Sequence, residues 1–214
     1  MSKSMIKPGP DLLQRVSQAF LDYGYSGLSM VTMAKVCGFT QRALYYYFSN
    51  KEDAFRAMIQ FRNDDAVALA RDAGKAIRAK GGSALDIIAE ILDVRYGDTR
   101  RRVIPSPHTV ELNAEAFKRC RDLMIQSAVA FQAELEQLIV DLEKSRMLKL
   151  NGRFTAAEIS QALADGGRAV NQGLPPIAAE DLSGRYRQAC DMVLYGCATM
   201  PLPKISRPKT PKRK

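Results

Sequence analysis

The stretch Thr40-Gln41-Arg42-Ala43-Leu44-Tyr45-Tyr46-Tyr47-Phe48 concentrates side chains that could read a polyanion. On a helix, which advances about 100° per residue, Leu44, Tyr47 and Phe48 fall on one side. Arg42, Tyr45 and Tyr46 fall on the other, with Gln41 at the exposed first turn. The outer side then presents one guanidinium, one amide and two phenols. A guanidinium forks to guanine O6 and N7, and an amide pairs with adenine N6 and N7. Tyrosine hydroxyls donate to phosphate oxygens, and tyrosine rings touch thymine methyls. Ala43 is small enough to let the helix approach a groove floor. Ser29 and Thr32, at the start of the preceding helix, and Thr40, the expected N-cap here, bring hydroxyls and unpaired N–H groups to a phosphate. Lys51 supplies a cation for another.

The aromatic run also suits a plain core, and helix–turn–helix layouts recur in helical proteins that bind no nucleic acid. Residue types alone leave both readings open.

The elements that must hold these residues read almost entirely as helix, because the period-2 alternation of strands is absent. A first helix is expected over Asp11–Tyr23, ended by Gly24. A second runs over Met30–Cys37 behind the N-cap Ser29 and is broken by Gly38. A very short third runs from Thr40 to about Tyr47. Asn50 caps a longer one reaching Arg78, and Ser83 opens the next. Arg100–Pro107 reads as a basic, Pro-containing interruption with short helices beside it, and Arg100-Arg101-Arg102 as a solvated helix end. One long helix is expected over Ala114–Met147. Thr155 and Glu158 have capping-box spacing, opening a helix to Asn171, and a last helix spans Glu180–Thr199.

The 214 residues carry a net charge of +9. Residues 1–60 hold +3, residues 61–200 are neutral, and residues 201–214 hold +6. A basic balance points to nucleic acid or an anionic surface, but only at the two ends of the chain. No apolar run reaches the roughly 20 residues of a bilayer span, and Met1–Pro10 lacks a signal-peptide core. Cys37, Cys120, Cys190 and Cys197 form no CxxC pair and have no histidine at metal-ligand spacing. They read as buried thiols. Cys190 and Cys197, seven apart, could instead face partner-chain cysteines across a dimer axis. His108 is the only histidine, and no nucleophile motif or phosphate-binding Gly loop is present, so catalysis, a metal and a cofactor are not expected. A helical adaptor that binds ligand or protein without reading an operator is the competing class.

Leu28–Glu52 closely resembles the DNA-binding domain of the tetracycline-repressor (TetR/AcrR) family. Ala34, Gly38, Leu44, Tyr45, Tyr47, Phe48, Lys51 and Glu52 match its pattern, and Ala19-Phe20 and Gly24-Tyr25 match its first helix and exit. Arg42 stands at a position the family varies. The resemblance covers about residues 11–58.

It implies an all-α chain of about nine helices. A helix–turn–helix head over 11–58 would precede an effector-binding and dimerisation domain over 59–200. Residues 1–10 and the basic tail 201–214 would be disordered. It further implies a homodimer on a palindromic double-stranded DNA operator, released by a small-molecule effector, in a bacterial cytoplasm and without a membrane. The dimer is expected through the small-residue helices 155–171 and 180–199. The effector is expected between Ser83 and Met147, against Arg95, Tyr96, His108, Met124 and Phe131, with Ile88, Leu92, Phe117 and Cys120 as further candidates.

Overall fold

The computed structural model describes residues 6–199. Ten α-helices account for most of them: α1 (Pro10–Gly27), α2 (Met30–Val36), α3 (Gln41–Leu44), α4 (Lys51–Ala79), α5 (Ala84–Leu92), α6 (Thr99–Val103), α7 (Thr109–Arg119), α8 (Arg121–Lys144), α9 (Ala156–Asn171) and α10 (Leu182–Cys197). A π-helical turn, Asp93–Asp98, joins α5 to α6. Two two-residue strands, β1 (Lys149–Leu150) and β2 (Ala198–Thr199), pair antiparallel. Among the described residues the fold is all-α apart from that pair.

Helix starts follow from caps. Ser29 Oγ accepts from Thr32 N at 3.0 Å, Thr40 Oγ1 from Ala43 N at 3.2 Å, and Asn50 Oδ1 from Asp53 N at 2.8 Å. Ser83 with Asp86, and Thr155 with Glu158, form reciprocal capping boxes. Each satisfies donors that a helix cannot pair internally, an effect of about 1 kcal/mol per cap.

The breaks differ from the expected ones in three places. Helical hydrogen bonding continues past Gly24 to Gly27, yet Gly24 itself has φ +71°, so α1 is kinked there. A Cβ at Gly24 would lie 2.3 Å from Glu111 Oε2 and 2.8 Å from His108 Nδ1. The helix expected over 114–147 is two helices, divided at Cys120 (φ −126°, ψ 21°). Arg100–Arg102 lie in the last turn of α6, where Arg102 is exposed as expected but Arg100 and Arg101 are half-buried. Arg100 donates to the carbonyls of Val170, Asn171 and Ile177, and Arg101 pairs with Asp93 and Asp98.

Two cores result. One gathers α1, α2, α3 and the start of α4 around Phe20, Met33, Leu44, Phe48 and Phe55, and recruits Leu112, Ala116 and Cys120 from beyond residue 58. The other joins α5, α8, α9 and α10 around Ile88, Leu92, Phe131, Leu135 and Tyr186. The division at Cys120 lets α7 serve the first core and α8 chiefly the second. Cys190 is fully buried in the second core, which removes it from any cross-axis pairing. Cys37 and Cys120 are also buried and free. Burial pushes the Cys120 thiol up to about 11 and the Cys190 thiol up to about 12.

The second core closes on small residues. A Cβ at Gly167 of α9 would lie 2.6 Å from the Tyr96 ring. Gly167→Ala is therefore expected to destabilise the fold by roughly 1–3 kcal/mol through overpacking, read as a lower denaturation midpoint at unchanged slope.

Candidate nucleic-acid interface

The turn between α2 and α3 is shaped by Gly38, which has φ +71°. It is held by Phe39 N donating to Ala34 O at 2.8 Å and by Arg15 Nη1 donating to Cys37 O at 3.0 Å. Phe39 meets Tyr47 edge-on at 5.8 Å. Leu44 and Phe48 sink completely into the first core, so α3 is anchored by the side expected to be apolar.

The other side of α3 faces solvent. Gln41 and Arg42 are exposed, Tyr45 and Tyr46 are 45% and 38% exposed, and all four border one shallow concavity. Ala43 lies between them, half-buried. Ser29 and Thr32 sit at the start of α2, their hydroxyls 2.9 Å apart. Thr40 is exposed at the start of α3.

Lys51 is turned inward. Its Nζ donates to Tyr25 O at 2.7 Å and stands 4.6 Å from the Tyr25 ring centroid. An ammonium carries three donors, so two remain. Sequence reasoning missed the arm before α1. Ile6 N donates to Tyr46 O at 2.9 Å, which brings exposed Lys7 close to α3. The basic residue was visible in the sequence, but the backbone contact that places it was not.

The head is seated on α7 and α8 by a charged junction. Arg56 grips Asp122 with both terminal nitrogens, at 2.9 and 2.5 Å, and also donates to Arg119 O. That fork holds the Asp122 carboxyl down at about 2. Arg119 bonds Glu115 and Glu52 and lies 4.4 Å over the Tyr25 ring. Glu111 Oε1 accepts from Ser26 N at 2.7 Å, which lowers the Glu111 pKa.

The expected effector residues separate. Arg95, Tyr96 and Phe131 come together, with Arg95 lying 5.2 and 5.5 Å over the Tyr96 and Phe131 rings. Arg95 Nη2 donates to Ser127 Oγ at 2.9 Å, and its buried Nε has no acceptor among the described residues. Burial, and secondarily Arg168, lower the Arg95 pKa. Ile88 and Leu92 are core behind this group. His108 instead stands at the start of α7, with Nδ1 3.7 Å from Glu111 Oε2, facing the head. Cys120 and Met124 border the first core, and Phe117 is 53% exposed. Phe131 also forms part of the floor of a groove of about 430 Å³ between α4, α5 and α8, with Ile87, Ile91, Leu135 and Leu138. The ion pair of Arg71 with Glu134 lies on its rim.

Among the described residues no group of three or more candidate side chains could hold a metal ion. No described helix is long and apolar enough to cross a membrane.

Residues 13–58 match the family model described as bacterial regulatory proteins, tetR family. Solved structures with the same fold include a TetR transcription regulator from Haloarcula marismortui (TM-score 0.66, 14% identity, 88% of this chain and 97% of that one). Another is a putative TetR-family regulator from Rhodococcus sp. (0.64, 21%, 86% and 97%). A third is SmeT, the repressor of the Stenotrophomonas maltophilia multidrug efflux pump SmeDEF (0.61, 13%, 88% and 89%). No curated protein matches the chain.

The junction makes its own prediction. In Arg119→Met, backbone amides of residues 22–30 and 50–56 should exchange hydrogen faster, while those of α5 keep their rate. Mass-resolved exchange of the purified chain measures both.

Proposed function

We propose that the chain is a DNA-binding transcriptional regulator of the TetR/AcrR family, working as a homodimeric repressor that a small molecule releases from a palindromic operator. One observation carries the reading: α3 is anchored by Leu44 and Phe48 while Gln41, Arg42, Tyr45 and Tyr46 stand open around one concavity. In this reading residues 11–58 form the head and 59–200 the effector and dimer domain, with α4 running through both. The protein works in a bacterial cytoplasm. The tail 201–214 and residues 1–5 lie outside the described residues.

Arg42 and Gln41 read base edges, with Ala43 allowing close approach. Tyr45 and Tyr46 contact phosphate or thymine methyls, and Ser29, Thr32 and Thr40 take phosphate at the helix starts. Lys51 has two donors left for a phosphate beside its bond to Tyr25. A twofold dimer presents two such faces at a fixed spacing, which selects a palindrome.

The dimer surface is the outer face of α9 and α10. Ala162 and Ala169 on α9 are exposed, and on α10 Met192 and Tyr195 are 68% and 56% exposed. Small residues beside large apolar ones suit a four-helix contact between copies. The effector occupies the groove floored by Phe131, behind which Arg95 and Tyr96 lie. Its binding favours the dimer state whose heads are misspaced for the operator. His108 and Met124 stand on the head side of the larger domain, away from that groove.

Two experiments test this. A DNA selected from a random library by the purified protein should bind in a salt-dependent way. Tyr46→Ala and Lys51→Ala should weaken binding to all sequences, and Arg42→Ala should alter preference by about 1–3 kcal/mol at one base pair. Unchanged binding in all three variants contradicts the assignment. Separately, Met192→Glu with Tyr195→Arg should convert a dimer into a monomer in sedimentation and abolish operator binding at the same protein concentration.

A further inference from the structure

Beneath the head lies a cleft of about 150 Å³, walled by α1 on one side and by α4, α6, α7 and α8 on the others. Most of its wall is apolar: Phe20 from α1, Met58 from α4, Leu112 from α7 and Met124 from α8. Ser17, Thr99, Thr109 and Asn113 add polar groups to it, and two more on adjacent positions of α4 lack a partner among the described residues.

Arg62 is the first. No carboxylate lies within ion-pair distance of it among the described residues, although seven other arginines have one. Its charge is opposed by burial and, secondarily, by the like charge of Arg102. Arg102 is itself linked to Asp65, at 3.6 Å, and so brings no spare counter-ion. Asn63 is the second. Its Nδ2 is buried and has no acceptor among the described residues. A half-buried charge without a counter-ion and a buried donor without an acceptor each cost free energy, and both line the same cleft.

We propose that this cleft binds a small monocarboxylate, with the guanidinium of Arg62 and the Nδ2 of Asn63 holding its two oxygens and the apolar walls covering its body. The planar fork of arginine matches a carboxylate, and Asn63 adds one further donor. Phosphate fits worse, because its second charge and remaining oxygens would face Phe20, Met58 and Leu112. The volume, about five times that of a water molecule in the liquid, limits the body to a short chain or a single ring. The site is separate from the groove above Phe131.

The occupant would touch both sides of the head's seat. Phe20 and Leu21 lie on α1, and Leu21 O accepts from Ser106 Oγ at 2.6 Å, one of the few bonds fastening α1 to the segment before α7. The acid would therefore alter how firmly the head is held, a consequence that rests on the DNA-binding reading. Binding itself does not.

The test uses the full chain, with hexanoate and benzoate as probes and hexanamide, benzamide and inorganic phosphate as controls. Calorimetry should give saturable binding of at least one acid at one per chain, with a raised melting temperature. The matching amide should bind at least about tenfold more weakly. Arg62→Met, which keeps the stem and removes the charge, should weaken acid binding at least about tenfold without lowering the melting temperature of the ligand-free protein. Asn63→Leu should weaken it several-fold. If Arg62→Met does not fold, the acid–amide comparison on the unaltered chain and the Asn63→Leu result still decide. The proposal is overturned if neither acid binds, if acid and amide bind alike, if phosphate binds in their place, or if Arg62→Met binds as the unaltered chain does. Absence of operator binding in a separate DNA titration would count against the regulator reading and leave the calorimetric result standing.

Discussion

Tyr25 is the residue on which the arrangement of the head depends. Its ring stacks on Phe20 at 6.0 Å, meets the edge of Phe55 at 5.1 Å, and carries two cations, Lys51 from α4 and Arg119 from α7. An aromatic face attracts cations through its quadrupole, and the attraction strengthens when water is excluded. Three helices from distant parts of the sequence therefore converge on one side chain. The kink at Gly24 turns the chain just before it, and the space a Cβ would need there is taken by Glu111 and His108. Lys51 adds a bond to the Tyr25 carbonyl, so the start of α4 is fixed to the end of α1 by side chain and backbone together.

This arrangement determines how the two cores communicate. α4 is one continuous helix of 29 residues, its first turns in the head core and its later turns against α5. A straight helix transmits tilt but provides no point at which the head can be held or released. The holding points lie on α7 and the segment before it: Glu111 on Ser26, Ser106 on Leu21, Arg119 on Glu52. Any ligand that distinguishes two positions of the head must change contacts of this kind, since a ligand that interacts equally with both positions shifts nothing.

The parts of the fold that were legible in the sequence are those decided within a few residues. Ser29, Thr40, Asn50, Ser83 and Thr155 announce helix starts because the capping bond spans three residues, and all five make it. The wheel of α3 was legible for the same reason. The division at Cys120 was not, because residues on both sides keep the helical period. Only the choice of core separates Leu112 and Ala116 from Phe131 and Leu135, and that choice is tertiary. The effector candidates were selected by residue type, which cannot tell a core phenylalanine from a surface one. Hence Phe131 and Phe117 looked alike, and one is buried while the other is half exposed. Arg100–Arg102 looked like a solvated run because their acceptors, the carbonyls at the end of α9 and the carboxylates of the π-helical turn, lie far away in sequence or on its other side.

Arginine usage adds a constraint that charge totals conceal. The segment 61–200 is neutral, and seven of its fourteen arginines are paired with carboxylates or carbonyls among the described residues. Arg62 and Arg95 are not. Arg62 is half-buried and Arg95 buried, each is pushed down in pKa first by burial and further by another arginine, and neither has an acid within ion-pair distance among the described residues. Their settings nevertheless differ. Arg95 is covered by two aromatic faces and bonded to Ser127, so its charge is partly balanced within the protein. Arg62 borders open volume, beside an amide donor that is also unsatisfied. A packed cation–π group can be justified by the rigidity it gives the core. A cation on the wall of a cleft gains nothing comparable from its neighbours, and the missing partner is most simply a molecule that enters the cleft.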